Sequence, residues 1–519
     1  MQTDVLIIGG GLAGTVAADE IIKNSTLRVI QIGCGGGASP FIHGFCIPVS
    51  ENDSEELFLE DSVKSGYGQS DVSLLRRLCL GSSELTSYFG ELGLSLDTDE
   101  GGVRLIHSLG SSVPRIASIG NNTGPMMLRA LRARLGEASR YTSLDGQRAL
   151  SLIKANGRVV GARCFDTETR EFYSIYAKTV ILATGGFGRL FPESTNSRDV
   201  GGDGVAMAYL AGAALTDMEF IQFEPSAAVW PPEVAGKGIV TTMFYDGAVL
   251  RGRSGERFML AYGEEAERVP KDVQAKCISH EMSQNGTTEH GGVWFDATGV
   301  PEEKWQGVYR PYLNRYLALG IDLRKEPVEI APAAHTTSGG VYIDGDCYTG
   351  VPGLIACGEA AGGIHGANRL GGNAGLEVMV FGRIAGKRAI AEAGAVDTLP
   401  EDEERVPDTE PDITVSDIRA SLSEIVRNSL SVVRSGEKME SARAKLSAML
   451  EFLGGYEGCY EKHRLHNDLL TAYLTLSAAL ERTSSVGCHF REDGVLEEEK
   501  YRIEIKKSGE GVSVCRKPI

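Results

Sequence analysis

The stretch Asp4-Val5-Leu6-Ile7-Ile8-Gly9-Gly10-Gly11-Leu12-Ala13-Gly14 constrains this chain most, because it joins an apolar run to glycines spaced Gly9-x-Gly11-x-x-Gly14. Residues 15–23 have helical composition and 27–32 are β-rich, so the opening reads as strand, glycine turn, helix, strand. In that context Gly9 permits the tight turn, Gly11 lets backbone approach a pyrophosphate, and Gly14 lets the helix pack on the strand. The helix N-terminus, at Leu12 and Ala13, then offers its unsatisfied N–H groups to a diphosphate. A dinucleotide-binding domain is predicted. One expected feature is missing: the second strand ends Ile30-Gln31-Ile32-Gly33-Cys34, with no acid for a ribose diol.

Composition narrows what such a domain can serve. At 519 residues the chain exceeds the size of one hydrophobic core, so two or three domains are expected. Acidic residues outnumber basic ones 70 to 52, giving a formal charge of -18, and no basic stripe is present. Nucleic acid is therefore excluded as an expected partner. The longest apolar runs, 5–8 and 179–183, fall far short of the ~20 residues of a membrane span, and a basic leader with a cleavage site is absent. A cytoplasmic protein is expected. The ten cysteines form no C-x-x-C pair, so iron–sulfur, zinc and c-type haem sites are not expected and no metal ligands are assigned. Electrons must then pass to a diffusible acceptor or to a separate protein.

Helical patterns follow at 54–65, 72–92 and 123–136, and hairpin strands at 158–183 run into Ala183-Thr184-Gly185-Gly186. Between 225 and 332 aromatic and charged content rises while glycine thins. The chain is thus divided into a dinucleotide-binding domain in two parts, 1–224 and 333–394, around an inserted α+β capping domain at 225–332. An acidic, proline-containing linker at 395–411 leads to a C-terminal helical domain and tail, 412–519, with about three helices. The fold class is α/β, Rossmann-like. A second glycine cluster, Leu354-Ile355-Ala356-Cys357-Gly358-Glu359-Ala360, ends a strand beside an acid suited to ribityl hydroxyls, which favours FAD over NAD.

By these residues the chain resembles the flavoprotein family of succinate dehydrogenase, fumarate reductase and L-aspartate oxidase. The most specific stretch is His365-Gly366-Ala367-Asn368-Arg369-Leu370-Gly371-Gly372-Asn373, followed by Gly375-Leu376-Glu377. Gly202-Asp203-Gly204, Met218-Glu219-Phe220-Ile221-Gln222-Phe223 and His335-Thr336-Thr337-Ser338-Gly339-Gly340 support it, as does Glu481-Arg482 with His489 to Asp493. The resemblance implies FAD and hydride exchange at flavin N5 with a carbon of a small carboxylate or amino acid. It carries cofactor contacts onto Ala38, Ser39, Gly44, Ala183, Thr184, Gly185, Asp203, Glu359, Asn373, Gly375 and Leu376. The N–H groups near Gly375 and Leu376 are expected to face the flavin N1/O2 edge. Some members tether FAD through a histidine after the first βαβ unit. His43 lies deeper than that position, so non-covalent FAD is expected.

The resemblance also assigns a substrate clamp. Arg369 matches the bidentate carboxylate anchor, and His335 a charge-assisted donor. Two positions depart from the family pattern: Glu224-Pro225-Ser226 stands where His-Pro-Thr is usual, and Lys271-Asp272-Val273 where an arginine delivers the proton. Lys271 is the expected proton carrier, and Glu224 is expected to recognise the far end of the substrate. Two unit charges ~4 Å apart at an effective dielectric near 20 cost ~4 kcal/mol. Fumarate, succinate and oxaloacetate are thus expected to fit poorly unless Glu224 is protonated or turned away. L-aspartate oxidase remains an alternative, as does an FAD-binding relay subunit without its own small substrate.

Overall fold

The computed structural model describes residues 1–120, 122–394, 399–400, 405–497, 499–509 and 511–519. Its central strand is Gln2–Ile8, flanked in parallel by Val29–Gly33 and then Tyr141–Asp145 on one side. On the other side runs the second half of Glu171–Leu182, parallel to Gln2–Ile8, with Leu354–Ala356 parallel beyond it. Both faces of this parallel core are covered, which is why Val5, Leu6, Ile7 and Ile8 are all buried and the run is continuously apolar. The first half of Glu171–Leu182 changes partners: it pairs antiparallel with Arg158–Asp166, which pairs antiparallel with Gln147–Ala155. One 12-residue strand therefore serves both a parallel and an antiparallel region.

Two helices lie together over the parallel part, Leu12–Asn24 and Asn373–Ala393. Gly382 faces Ala13 and Gly386 faces Ala17, so the helices run in the same direction. A Cβ on either glycine stands 2.8 Å from the facing carbonyl oxygen. Backbone-to-backbone approach this close requires glycine at both positions. The same register makes the later helix begin about two turns further out, so its N-terminus projects about 12 Å beyond that of the first at 1.5 Å per residue.

The helical pattern at 72–92 is interrupted. Val72–Gly81 gives way to a 3₁₀ turn at Ser82–Glu84 before Leu85–Glu91. Gly81 packs against Val380, whose Cγ1 lies 2.6 Å from where a Cβ would be. Asp71 caps Val72–Gly81 by accepting from the Ser73 and Leu74 amides at 3.0 and 3.3 Å.

An antiparallel sheet of Ile221–Ala228, Val328–Thr337, Val293–Asp296 and Val249–Arg251 stands beside the parallel core. With Lys271–Asn285, Glu302–Gln306 and Arg310–Leu317 it builds a second hydrophobic cluster, which includes Leu250, Met259, Phe295 and Trp305.

Three helices, Val415–Ser429, Gly436–Leu453 and Tyr460–Glu481, share the main hydrophobic cluster, and the last packs on Asp203–Ala211. The residues after them are not an irregular tail. Tyr501–Ser508 and Gly511–Pro518 form a hairpin, and Tyr501, Ile503 and Ile505 alternate into the core. The hairpin joins Leu215–Thr216, Gly340–Tyr342 and Ala361–Gly362 in a five-stranded sheet. In the stretch read as a linker, Val406–Pro407 pairs antiparallel with the start of Glu171–Leu182, and 395–398 and 401–404 lie outside the described residues. Among the described residues no helix is long and apolar enough to cross a membrane.

A buried ion pair ties the C-terminal segment to the strand entering the antiparallel sheet. Arg482 Nε donates to Glu219 Oε1 at 2.7 Å, and Arg434 Nη1 donates to the Glu219 carbonyl at 2.8 Å.

Candidate functional site

The two glycine-dense segments meet at one cavity of about 1330 Å³, bordered by 8–13, 32–39, 41–44 and 183–185, by Asp203 and Glu359, and by Gly375. That volume exceeds the ~300–1,000 Å³ usual for a single small ligand, as a dinucleotide with a second ligand requires. Gly9 makes the turn at φ 131°, and a Cβ there would stand 2.0 Å from the Ala183 carbonyl oxygen. Only glycine fits.

Neither helix N-terminus at this cavity carries a side-chain cap: Gly11 precedes Leu12–Asn24 and Gly372 precedes Asn373–Ala393. Two uncapped termini with an offset of about 12 Å form two separate anion sites along one wall. The Leu12 amide is the exception, since it donates to Ser39 Oγ at 2.8 Å and so fixes the loop after the second strand. Two negatively polarised groups joined by a linker, as in a pyrophosphate and an isoalloxazine edge, match this wall. The residues present fit FAD.

Gly9, Gly11, Leu12, Ala13, Ala38, Ser39, Gly44, Ala183, Thr184, Gly185, Asp203, Glu359 and Gly375 all border the cavity. Three expected contacts do not. Gly14 lies behind the wall, where a Cβ would stand 2.5 Å from the Gly9 carbonyl oxygen, so its task is helix-on-strand packing. Asn373 is buried and donates to Ser62 Oγ at 3.2 Å. The Leu376 amide donates to Gly372 at 3.3 Å and its side chain is in the core, so the free amide expected there belongs to the turn before it.

Asp203 is engaged by Arg148 at 3.2 Å and Asn467 at 3.4 Å. Glu359 Oε1 accepts from Thr336 Oγ1 at 2.8 Å and the Thr337 amide at 3.0 Å, while burial raises its carboxyl above the usual range. At the end of the second strand, Gln31 donates to the Gly9 carbonyl at 2.7 Å and accepts from Tyr141 at 2.7 Å, which uses that position for turn support.

The four expected catalytic residues converge at the other end of the cavity. Glu224, on Ile221–Ala228, and Lys271, the first residue of Lys271–Asn285, form an ion pair at 2.5 Å, and Ser226 Oγ donates to the other Glu224 oxygen at 3.0 Å. Burial raises the Glu224 carboxyl, but Lys271, His335 and the two hydrogen bonds outweigh it and hold it below the usual carboxylate range. Glu224 is therefore ionised and compensated. The expected penalty of ~4 kcal/mol against a second substrate carboxylate does not apply, because it holds only for a lone charge.

His335, on Val328–Thr337, has Nδ1 2.7 Å from Thr195 Oγ1. Burial, then Lys271, pull its pKa down to about 3 against the raising effect of Glu224. It is a neutral imidazole at neutral pH and not the charge-assisted donor expected. Arg369 is buried. Its Nη2 donates to Gln222 Oε1 at 3.1 Å and Nη1 to the Leu370 carbonyl at 3.3 Å, while Nε has no partner. Gln222 in turn donates to Asn368 at 2.7 Å and to the Arg369 carbonyl at 2.9 Å, so it positions the guanidinium. Thr195 falls in no motif, and Gln222 and Ser226 stand in motifs that assign them no role, because no pattern marks a hydroxyl or amide as the partner of a site residue.

A family model described as FAD binding domain matches residues 4–374. The chain belongs to this family. It is an FAD-dependent oxidoreductase of the type that includes fumarate reductase and L-aspartate oxidase. It is 34% identical over 517 residues to a fumarate reductase (CoM/CoB) subunit of Methanothermobacter marburgensis, covering 95% of this chain and 94% of that one. It is 31% identical to L-aspartate oxidase 1 of Ralstonia nicotianae over 95% of this chain and 96% of that one. Among solved structures it is similar to Mycobacterium smegmatis Sdh1 in complex with UQ1, with a TM-score of 0.86, 28% identity and coverage of 100% of this chain and 94% of that one.

Proposed function

We propose that this flavoprotein exchanges hydride with a four-carbon carboxylate of the fumarate/succinate type, and that Arg369, Lys271, Glu224 and His335 are its substrate residues. The observation that carries the reading is the Glu224–Lys271 pair, set in the same chamber as an arginine with unused donors. When bound, FAD supplies a hydride donor or acceptor at N5. Arg369 binds a substrate carboxylate through its planar fork. Lys271 Nζ gives a proton to the alkene carbon that does not take hydride, and recovers it in the reverse direction. Glu224, held ionised, orients Nζ through their ion pair. Neutral His335 contributes a polar contact without adding positive charge.

L-aspartate oxidase is the second reading, favoured by the 31% identity to such a protein. It ranks lower because Glu224, the carboxylate suited to an α-ammonium group, is already satisfied by Lys271 and Ser226. A pure relay protein would not need a buried arginine with a vacant donor.

FAD is proposed to be non-covalent, and acid precipitation should leave the yellow colour in the supernatant. The substrate assignment is tested by reducing the flavoprotein anaerobically with dithionite and adding fumarate. Rapid return of the oxidised absorbance is expected. A flavin that fumarate leaves reduced, but that L-aspartate reduces from its oxidised form, would replace this reading with the second one.

A further inference from the structure

Arg310–Leu317 turns Leu313 and Tyr316 into the core of the antiparallel region, which leaves Tyr312 and Arg315, an i,i+3 pair, at the wall of the cavity. The Arg315 guanidinium lies 5.3 Å from the Tyr312 ring centre, and its Nη1 donates to the Gly238 carbonyl at 3.0 Å. Among the described residues no carboxylate pairs with it, although the chain has 70 acids for 52 bases. Glu224, which borders the same cavity, is occupied by Lys271 and Ser226. Gly238, which anchors Arg315, lies directly beside Glu224: a Cβ on Gly238 would be 3.7 Å from Glu224 Cγ.

Glu224 and Lys271 cancel and His335 is neutral, and of the cations bordering this part of the cavity Arg369 and Arg315 have no acid of their own and are not exposed, whereas Lys237 is exposed. A guanidinium with one N–H on a carbonyl and its face on an aromatic ring retains a free fork for a carboxylate.

We propose that Arg315, with the Tyr312 hydroxyl, forms a second carboxylate subsite opposite Arg369. The substrate is then a dicarboxylate held at one end by the dinucleotide-binding region and at the other by the antiparallel one. This rests on the function proposed above and goes further by naming the residues that select the second charge. Arg315 touches substrate and sets specificity; it moves no proton.

The test compares fumarate with crotonate, which has the same four-carbon trans-alkene but a methyl group in place of one carboxylate. Both are titrated into the oxidised holoenzyme, where no electron transfer occurs, and binding is read from the flavin difference spectrum. Arg315→Gln should weaken fumarate by about 10- to 100-fold and change crotonate by less than about twofold, since a charged hydrogen-bonded contact is worth a few kcal/mol at ~1.4 kcal/mol per tenfold. Arg315→Lys should recover part of the loss. Tyr312→Phe should weaken fumarate by a few-fold without disturbing packing, and Arg369→Gln should weaken both ligands. Equal effects of Arg315→Gln on the two ligands, or none on fumarate, would overturn the subsite while leaving the proposed function standing. A wild-type holoenzyme that neither binds fumarate nor is reoxidised by it would overturn both.

Discussion

Glu224 and Lys271 reach the same chamber from a strand and from the first residue of a helix, and each accounts for the burial of the other. The carboxylate is almost fully buried and the ammonium largely so, with Nζ and Oε2 2.5 Å apart. Removing one partner strands the other in a poor solvent for charge, so breaking the pair is destabilising by about 3–5 kcal/mol. Function and stability are therefore entangled at this point, and the tests must separate them.

Lys271→Arg should keep the pair and retain measurable turnover, whereas Lys271→Met should lower kcat by about 10²–10⁴-fold, the usual size of a general-acid contribution. The separating measurement is single-turnover reoxidation of reduced flavin in variants shown to retain FAD. Unchanged reoxidation in Lys271→Met would remove Lys271 from the reaction.

Acid should destabilise this protein earlier than its carboxylates alone predict. Burial holds His335 at about 3 and His463 at about 4, both below the ordinary value near 6.5, so the native state keeps them neutral while the unfolded chain protonates them. Their stabilisation is complete above about pH 6.5 and is lost as pH falls from there toward 4. Melting temperatures at pH 7.5, 6.0, 5.0 and 4.5 should decline steadily, and His463→Gln should flatten the decline. A flat series in wild type would contradict the buried, neutral assignment.

Asp217 acts in the opposite sense. Both carboxylate oxygens are buried without a hydrogen-bond partner, and burial together with Glu219 raises the carboxyl well above its ordinary value. The native state thus prefers the protonated form, and the cost of ionisation grows as pH rises. Asp217→Asn, which also suits the φ of 58° at this position, should raise the melting temperature more at pH 8.5 than at pH 5, because the cost of the native carboxyl accrues from the unfolded value of 3.8 up to about 7.

Gly9→Ala should yield protein that is colourless or unfolded. Its Cβ would stand 2.0 Å from a backbone oxygen that cannot move without displacing the Glu171–Leu182 strand. Ser39→Ala is milder: it frees the Leu12 amide and should weaken FAD retention without preventing folding. Flavin content after gel filtration distinguishes the two.

The dinucleotide turn was legible in the sequence because Gly9 and Gly11 each answer a local steric demand that no other residue meets. Arg369 and His335 were legible from resemblance, but the protonation state of His335 was not, since burial by distant segments sets it. Glu224 and Lys271 were each marked as departures from a pattern. Their pairing was invisible because sequence does not record that a strand end and a helix start face one another. Arg315 and Tyr312 belong to no motif, and only the cavity shows what they face. The hairpin at 501–518 does carry a signal, the alternation of Tyr501, Ile503 and Ile505 before a glycine turn, but its inner neighbour, Leu215–Thr216, is only two residues long and gives no sign of the sheet it joins.

That neighbour shapes how the chain reaches its native state. Leu215–Thr216 is hydrogen-bonded on one side to Gly340–Tyr342 and on the other to Tyr501–Ser508, so a ribosome exposes it long before either flank has been synthesised. Pairings so remote along the chain are slow to close and leave a bare edge open to other chains meanwhile. Completion of that sheet accordingly waits for the last part of the chain to be made, and lower growth temperature or chaperone supply should raise the yield of folded protein.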